Sequence, residues 1–335
     1  MENRYDRKPV VVVGSINADL VAKVERIPQG GETVLGTDFK VYPGRKGANQ
    51  AVAVARLGYP VFMIGKLGSD AFAPQLRASM TEAGVDVSTV QTIAGASGVA
   101  LIEVGSNGEN SIVVAPGANA TLSPEDIDAQ VEVVKAAGLV LVQLEIPLET
   151  VAHLTAMCAR EDIPVILDPA PAQALPAEVL RGVKWFTPNE TETTFYTSSD
   201  SAILGDLRKQ RDALFAQGIQ GVVLKQGSRG VYLADQAGLE VSIPAFHVKA
   251  VDTTAAGDAF NGAFATGLLL GKSPAESARF AAGAAAVSVT RSGAQSSMAS
   301  REETEAMLSG RHPSSLRFEP QQCSSITPPA QRTRS

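Results

Sequence analysis

The stretch "LVLVQLEIPLETVAHLTAMCAREDIPVILDP", residues 139–169, decides the fold. It begins and ends with short apolar runs, and the segment between them, Glu149–Arg160, has the apolar spacing of an amphipathic helix. Continuous apolar runs of this length are typical of parallel strands whose sheet is covered by helices on both faces. The stretch therefore predicts one strand–helix–strand unit of an α/β protein.

The same alternation recurs along the chain. Further apolar runs, each the length of a short strand, stand at residues 10–14, 61–65, 183–189 and 221–227. Glycine directly after an apolar-periodic segment is a common helix stop and closes several of the predicted helices. The helices closed in this way are Ala48–Leu57, Phe72–Ala83 and Leu204–Gln217, and two alanine-rich segments at 257–270 and 274–290 are further predicted helices.

Two regions break this rhythm. Residues 18–43 alternate apolar and polar side chains, and so do 98–104 and 110–115, which are joined by the turn-forming run "GSNG". They predict a small antiparallel sheet inserted in the main domain, 1–312, as a cover over its site. Residues 313–335 are rich in Ser, Pro, Gln and Arg, and this composition predicts a disordered tail.

Composition and charge exclude several classes of protein. The 335 residues are 44% hydrophobic, which is enough for a full core, and the net charge is −6. The 29 Lys and Arg residues are dispersed, so we expect no nucleic-acid partner. The four-valine run near the N-terminus is too short for a signal peptide or a membrane span, which predicts a cytoplasmic protein without a membrane partner. Two distant cysteines and three scattered histidines indicate neither a disulfide framework nor a zinc site.

A candidate anion site lies in "AVDTTAAGDAFNGAFATGLLLG", residues 250–271. The small residues at 255–257 lead into a long apolar helix, where successive backbone N–H groups and the helix dipole would attract a phosphate. Asp258, in the first turn, could accept a proton from an attacking hydroxyl. An acidic residue that only stabilises the helix N-terminus fits this motif equally well.

Other polar residues stand just beyond predicted strands, where α/β proteins bind their ligands. Each alone could be a cap or a turn residue, but together they indicate a site at one edge of the sheet. They are Asn17, Asp19, Glu145, Asp168, Asn189 and Glu192. The chain contains no GxxxxGK[ST] motif and no GxGxxG motif that opens a helix, which disfavours a P-loop kinase and a dinucleotide oxidoreductase.

Eight motifs in order carry a resemblance to a known family. They are "GSINAD" (14–19), "KGANQA" (46–51), "QLEIPLE" (143–149), "DPAPAQALP" (168–176), "TPNETE" (187–192), "GSRGVY" (227–232), "VDTTAAGDAFNG" (251–262) and "AVSVTRSGAQSS" (286–297). Through them the chain resembles the ribokinases of the PfkB-type carbohydrate kinase family from about Val10 to Leu308. The resemblance implies a three-layer α/β/α sandwich with a small β-sheet lid. It also implies transfer of the ATP γ-phosphoryl group to a sugar hydroxyl, O5 of D-ribose in ribokinases.

The resemblance also implies roles for individual residues in the sugar and phosphoryl sites. Asp258 would be the catalytic base and would contact the sugar. The anion hole would be formed by the amides of Ala255, Ala256 and Gly257. The sugar would also contact Asn17, Asp19, Gly44, Lys46, Asn49 and Glu145.

By the same resemblance, the nucleotide would contact Asn189, Lys225, Gly227, Ser228, Gly230 and Gly257. Lys225 stands where ribokinases often have threonine. Glu192, with Asn189, would position Mg²⁺ mostly through water, since Mg²⁺ tends to retain its hydration. A monovalent cation, usually K⁺, would be held by Asp252, Thr254, Ser288, Arg291, Gly293 and Ser297. Ribose and ATP are the implied ligands, and a homodimer formed through the lid is the implied assembly.

One residue departs from the family pattern. Ribokinases carry two glycines before the lysine of "VYPGRKGANQ" (41–50), and here the second is Arg45. We expect a negative φ at Arg45, with its side chain in solvent. Two other outcomes are a left-handed backbone, at a cost of about 1–2 kcal/mol, and a guanidinium that reaches the pocket to pair with phosphate or an acidic substrate.

Arg45 also keeps alternative functions open. A related kinase could act on deoxyribose, fructose, a ketoacid sugar or a nucleoside. A non-catalytic relative that only binds a sugar is a second alternative, and Arg45 is the one feature in its favour.

Overall fold

The computed structural model describes residues 7–197 and 203–311, so the predicted tail, 313–335, lies outside the described residues. The strands are β1 (Val10–Val13), β2 (Asn17–Val24), β3 (Gly36–Gly44), β4 (Val61–Leu67), β5 (Val90–Thr92), β6 (Gly98–Val104), β7 (Asn110–Ala115), β8 (Leu139–Gln143), β9 (Val165–Asp168), β10 (Trp185–Phe186), β11 (Gly221–Lys225), β12 (Val231–Asp235) and β13 (Glu240–Ile243). The helices are α1 (Lys46–Arg56), α2 (Ala73–Ala83), α3 (Pro124–Asp128), α4 (Val131–Lys135), α5 (Leu148–Arg160), α6 (Ala177–Arg181), α7 (Glu190–Thr197), α8 (Leu207–Ala216), α9 (Ala256–Leu269), α10 (Pro274–Ser288) and α11 (Arg301–Leu308).

The larger sheet has the strand order β13-β12-β11-β10-β9-β8-β1-β4-β5 within the described residues. Its strands β5, β4, β1, β8, β9, β10 and β11 run parallel to one another. β1 pairs with β4 on one side and with β8 on the other. β11, β12 and β13 run antiparallel, so the sheet is mixed rather than wholly parallel as predicted. The connections between these last strands are too short for a crossover, and only antiparallel pairing can follow.

Helices cover both faces of this sheet. Val10 and Val12 point into a core that α1, α2, α9, α10 and α11 share, while Val11 and Val13 point into a second core with α3 to α8. Successive strand residues face opposite sides, so an unbroken run of valines supplies both cores. The three layers confirm the predicted α/β/α class.

Strands β2, β3, β6 and β7 form the smaller sheet, here called the lid, in the order β3-β2-β6-β7. β2 pairs antiparallel with β3, and β6 pairs antiparallel with β7. The central pair, β2 and β6, is parallel, which corrects the prediction of a purely antiparallel sheet. The physical reason is that these two strands are separated by β3, α1, β4, α2 and β5, not by a hairpin turn.

The predicted helices agree with the structure to within a few residues. The largest difference is at α8, predicted from Leu204, which begins at Leu207 because the Asp206 side chain caps it by accepting bonds from the N–H groups of Arg208 and Lys209. Among the described residues, no helix is both long and apolar enough to cross a membrane.

Candidate active site

Asp258 lies in the first turn of α9, where this helix meets α1. Its side chain is buried, and both carboxylate oxygens accept hydrogen bonds: Oδ2 from Asn49 Nδ2 at 3.0 Å and Oδ1 from Gln50 Nε2 at 3.1 Å. Burial raises the pKa of Asp258, although the nearby Lys46 ammonium opposes the shift. The result is a buried carboxyl group held in one orientation, and its partner Gln50 was not predicted from the sequence.

The backbone turns sharply before α9. Ala255 is left-handed, with φ of 61°, and the Ala256 N–H donates to the Thr253 carbonyl at 3.2 Å. Two of the three predicted anion-hole residues thus form the turn, and the amide of Ala256 already has a partner. Gly257 lies in the first turn, where N–H groups have no partner within the helix and carry the positive end of its dipole.

A buried ionic cluster adjoins Asp258. Asp168, at the end of β9, is 1% exposed, and its Oδ2 accepts from Lys46 Nζ at 3.2 Å and Gln50 Nε2 at 3.0 Å. Lys225 Nζ approaches the other oxygen, Oδ1, at 3.3 Å. Burial alone would raise the pKa of Asp168, but Lys225 and Lys46 outweigh it and hold this pKa below its usual value. From the sequence, Asp168 was expected only as a polar residue beyond a strand end, and the cluster was not predicted.

Arg45 differs from its prediction in both backbone and side chain. Its φ is 79° and its ψ 156°, a region that only glycine commonly adopts and that costs other residues about 1–3 kcal/mol. Its side chain is 16% exposed, with Nη1 3.2 Å from Glu145 Oε1 and Nε 3.7 Å from Asp19 Oδ1. The expected negative φ and solvent-facing side chain are therefore wrong. The two ion pairs offset the backbone strain and keep the guanidinium among the predicted sugar-binding residues.

The acidic partners of Arg45 are themselves held in place. Glu145 Oε2 accepts from the Ser15 hydroxyl at 2.5 Å, a contact that the sequence analysis missed although Ser15 lies in its first motif. Burial raises the pKa of Asp19 to about 6, with Arg45 lowering it and Glu145 and Asp258 raising it. Asn17 is buried, and its side-chain amide lies 2.6 Å from Asn119 Nδ2.

Gly44 belongs to the same group, because a Cβ there would lie 2.2 Å from Asp19 Oδ2. The predicted sugar-binding residues thus converge where the lid meets the large sheet, since Asn17, Asp19 and Gly44 lie on the lid strands β2 and β3 and Glu145 follows β8. Two side-chain acceptors among them, Asp19 Oδ1 and Asn49 Oδ1, are buried without a hydrogen-bond partner among residues 7–197 and 203–311. Buried acceptors of this kind suit a ligand that carries hydroxyl groups.

The predicted nucleotide residues lie on two neighbouring segments. Asn189 and Glu192 bond to each other at the start of α7: Asn189 N and Nδ2 donate to the carboxylate at 2.8 and 2.9 Å, and Glu192 N donates to Asn189 Oδ1 at 2.9 Å. Burial raises the pKa of Glu192. In the loop after β11, Gly227 and Ser228 are exposed, and Gly230 has φ of 99° with no room for a Cβ beside the Ile243 carbonyl.

The predicted monovalent-cation residues come from two loops that Asp252 joins. Its Oδ1 accepts from the Thr254 N–H and its Oδ2 from the Gly293 N–H, both at 2.9 Å. Burial opposes the shift, but these bonds lower the pKa of Asp252. Ser288, at the end of α10, and Ser297, in the segment that follows, are both buried. Arg291 Nη2 donates to Glu303 Oε1 at 2.6 Å. Within residues 7–197 and 203–311 no group of three or more His, Cys, Asp or Glu side chains could hold a metal ion.

Comparison with known proteins agrees with this architecture. A family model described as pfkB family carbohydrate kinase matches residues 7–301. The chain is 40% identical over 299 residues to the ribokinase of Haemophilus influenzae, covering 89% of this chain and 97% of that protein. It is 41% identical over 305 residues to the ribokinase of Bacillus subtilis, covering 90% and 99%. A deoxyribokinase of Salmonella typhi is 38% identical over 304 residues, covering 90% and 98%.

Solved structures give the same result. The ribokinase of Thermotoga maritima superimposes with a TM-score of 0.82 at 40% identity, covering 90% of this chain and 99% of that one. The ribokinase of Arabidopsis thaliana, solved with ribose and ATP, superimposes with a TM-score of 0.84 at 35% identity and the same coverage. As the sequence motifs predicted, the chain belongs to the pfkB family of carbohydrate kinases.

Proposed function

We propose that this chain is an ATP-dependent sugar kinase that phosphorylates D-ribose at O5 to give ribose 5-phosphate. The observation that carries the proposal is the buried carboxylate of Asp258, oriented by Asn49 and Gln50 at the N-terminus of a 14-residue helix. Ribose and ATP as the substrates are supported by ribokinases that this chain matches over nearly their whole length.

The chemistry divides between proton transfer and charge stabilisation. The O5 hydroxyl gives its proton to Asp258 as the bond from O5 to the γ-phosphorus forms. The bond from that phosphorus to the oxygen it shares with the β-phosphate breaks, and ADP leaves with that electron pair. A raised pKa suits Asp258 to accept the proton, and the Gly257 amide at the helix N-terminus offsets the charge on the transferring group.

Sugar recognition would use the buried acceptors where the lid meets the large sheet. Asp19, Asn49 and Glu145 would each accept from a sugar hydroxyl, and specificity follows because an absent hydroxyl leaves such a group unpaired. The side chain of Arg45 contacts Asp19 and Glu145 directly, so a bound sugar must share these carboxylates with the guanidinium or displace it. This contact is the one observation that favours the second candidate, a relative that binds a sugar without phosphorylating it.

The nucleotide would lie along the loop from Lys225 to Gly230, with its phosphates directed at the N-terminus of α9. Asn189 and Glu192 would hold Mg²⁺ through water molecules, which agrees with their bonding to each other and with the preference of Mg²⁺ for its hydration shell. When bound with ATP, Mg²⁺ would offset part of the phosphate charge.

A monovalent cation is part of the proposal. Asp252 bridges two loops through backbone N–H groups, and its lowered pKa keeps a negative charge there. K⁺ prefers oxygen ligands, which the carboxylate, the carbonyls of Thr254, Ser288, Arg291 and Gly293, and the Ser297 hydroxyl would supply. Bound there, the cation would fix the turn that precedes α9.

The lid supports assembly into a homodimer. Phe39, Leu101 and Val113 are 59%, 52% and 62% exposed, and Leu101 lies directly opposite Val113 in the strand register. Apolar side chains exposed together, on strands that include the sheet edges β3 and β7, indicate a surface that a partner covers. We propose that the partner is a second copy of the chain.

A coupled ATP assay over a sugar panel tests the proposed function. The panel contains ribose, deoxyribose, fructose, a ketoacid sugar and a nucleoside, and the product is located by ³¹P NMR. We expect the highest kcat/KM for ribose, with the phosphate on O5. A higher kcat/KM for another sugar would replace ribose as the substrate, and ribose binding without turnover of any sugar would favour the non-catalytic candidate.

A further inference from the structure

Lys225 begins the loop from Lys225 to Gly230, here called the nucleotide loop. Its positive charge lies where this loop meets α9, the helix that carries Asp258. It is the last residue of β11, and its side chain is 13% exposed. A Cβ placed on Gly257 would lie 3.5 Å from Lys225 Nζ, so the ammonium group lies against the backbone of the first turn of α9.

Asp168 fixes the position of this ammonium group. Lys225 Nζ is 3.3 Å from Asp168 Oδ1, and Asp168 is buried at the end of β9. The other oxygen, Oδ2, accepts from Gln50, which also donates to Asp258. Lys225 is therefore tied to the proposed base through two intervening side chains.

Two ammonium groups share the carboxylate of Asp168. Lys46 pairs with its Oδ2 at 3.2 Å and Lys225 with its Oδ1 at 3.3 Å, and the buried carboxyl groups of Glu192 and Asp258 supply further acidic partners nearby. Lys46 approaches from the start of α1, beside the sugar residues, and Lys225 approaches from the loop after β11. Of the two lysines, Lys225 therefore lies on the side from which a nucleotide phosphate would approach Asp258.

We propose that Lys225 is a catalytic residue whose ammonium group contacts the γ-phosphoryl group during transfer and stabilises the negative charge on its oxygens. This inference rests on the proposed function, since it assumes a phosphoryl group between the nucleotide loop and Asp258. Lys225 takes no part in the proton transfer, which runs from the sugar hydroxyl to Asp258. It acts with the Gly257 amide, on the same group, as a fixed charge.

The variants Lys225→Met and Lys225→Arg test this role. Removal of one preorganised group of this kind typically lowers kcat by about 10²–10³-fold. We expect that loss for Lys225→Met with the KM for ribose unchanged, and a partial recovery of kcat for Lys225→Arg, which restores the positive charge. Lys135→Met is the matched control, because Lys135 forms an ion pair with Glu161 in the outer helical layer.

A binding measurement separates a catalytic role from a structural one. ADP with Mg²⁺ and fluoroaluminate mimics the phosphoryl group in transfer, and fluoroaluminate should tighten ADP binding to the unmodified protein and to Lys135→Met. We expect Lys225→Met to lose this tightening while its affinity for ADP alone is retained. If Lys225→Met does not fold, Lys225→Gln is measured in its place.

Two results would overturn the proposal: fluoroaluminate tightening that persists without the lysine, or a loss of ADP and ribose binding equal to the loss of kcat. This readout does not depend on which sugar is the substrate. If ribose is not phosphorylated but fluoroaluminate still tightens ADP binding only when Lys225 is present, the proposed substrate would therefore be refuted and the role of Lys225 would stand.

Discussion

Arg45 Nη1 lies 3.2 Å from Glu145 Oε1, inside the group of residues that would recognise the sugar. That distance leaves no room for a sugar hydroxyl between the two side chains. The backbone of Arg45 is also strained, so the contact persists against a cost of about 1–3 kcal/mol. Under the proposed function, a ribose hydroxyl that binds Glu145 Oε1 would therefore replace or rearrange an existing ion pair.

The variant Arg45→Gly should bind ribose more tightly. It removes the guanidinium that competes for Asp19 and Glu145, and a gain of about 1.4 kcal/mol would lower the KM for ribose about tenfold with little change in kcat. Relief of the strain at φ of 79° acts on the free and the ribose-bound protein alike, so it should raise the free energy of unfolding and leave the KM unchanged. Arg45→Met separates the two effects, since it should lower the KM in the same way but keeps the strained backbone. A higher KM in both variants would mean that Arg45 contributes to sugar binding.

Ribose affinity should depend on the ionisation of Asp19. Its pKa in the folded protein is raised from 3.8 to about 6, so this carboxyl is protonated below that pH and charged above it. A charged carboxylate accepts hydrogen bonds more strongly, and affinity should rise as the pH increases through about 6. Isothermal titration calorimetry without ATP measures this dependence.

Two variants assign that titration. Asp19→Asn should flatten the dependence of ribose affinity on pH. Arg45→Met should move its midpoint upward, because Arg45 lowers the pKa of Asp19. A midpoint unchanged in both variants would assign the titration to another group.

Dimerisation through the lid should be sensitive to charge on its exposed face. Val113→Asp places a carboxylate on an apolar surface that a second copy would bury, and desolvation of an unpaired charge opposes association. Light scattering should give a dimer for the unmodified protein and a monomer for the variant. Glu109→Asp, in the turn before β7, is the control. A dimer that survives in Val113→Asp would exclude this surface as the interface.

Activation by K⁺ should depend on Asp252. The variant Asp252→Asn keeps the shape of the side chain but removes the charge that would bind the cation, and half-maximal activation should need about tenfold more K⁺. Asp206→Asn, which alters a helix cap outside the site, should leave the K⁺ dependence unchanged. Equal K⁺ dependence in all three proteins would contradict the proposed cation site.

The sequence predicted the parts of the fold that have a strong local signal. Runs such as Val10–Val13 are apolar on both faces and so indicate buried strands, and the glycines after α1 and α2 mark where those helices end. Strands β12 and β13 were missed because their pairing is set by short turns and neighbouring strands rather than by an apolar run. The parallel pairing of β2 with β6 is a tertiary property, to which local alternation of side chains gives no signal.

The candidate site shows the same limit. Motifs indicated Asp258, Asn49 and Glu145, but the role of Gln50 becomes visible only when α1, α9 and β9 come together. The sequence offered one signal for Gln50: it forms, with Asn49, a polar pair among the small apolar residues of α1. The φ of Arg45 could not be predicted, because ion pairs with residues 26 and 100 positions away in the sequence stabilise a conformation that arginine alone would avoid.

The most direct test of the account is the turnover of Asp258→Asn with ribose and ATP. The variant keeps the size of the side chain and its place beside Asn49 and Gln50, but it cannot accept the proton. We predict that it binds ribose with nearly unchanged affinity while its kcat falls by about 10²–10⁴-fold. A kcat close to that of the unmodified protein, measured on a variant that still binds ribose, would contradict the assignment of Asp258 as the base.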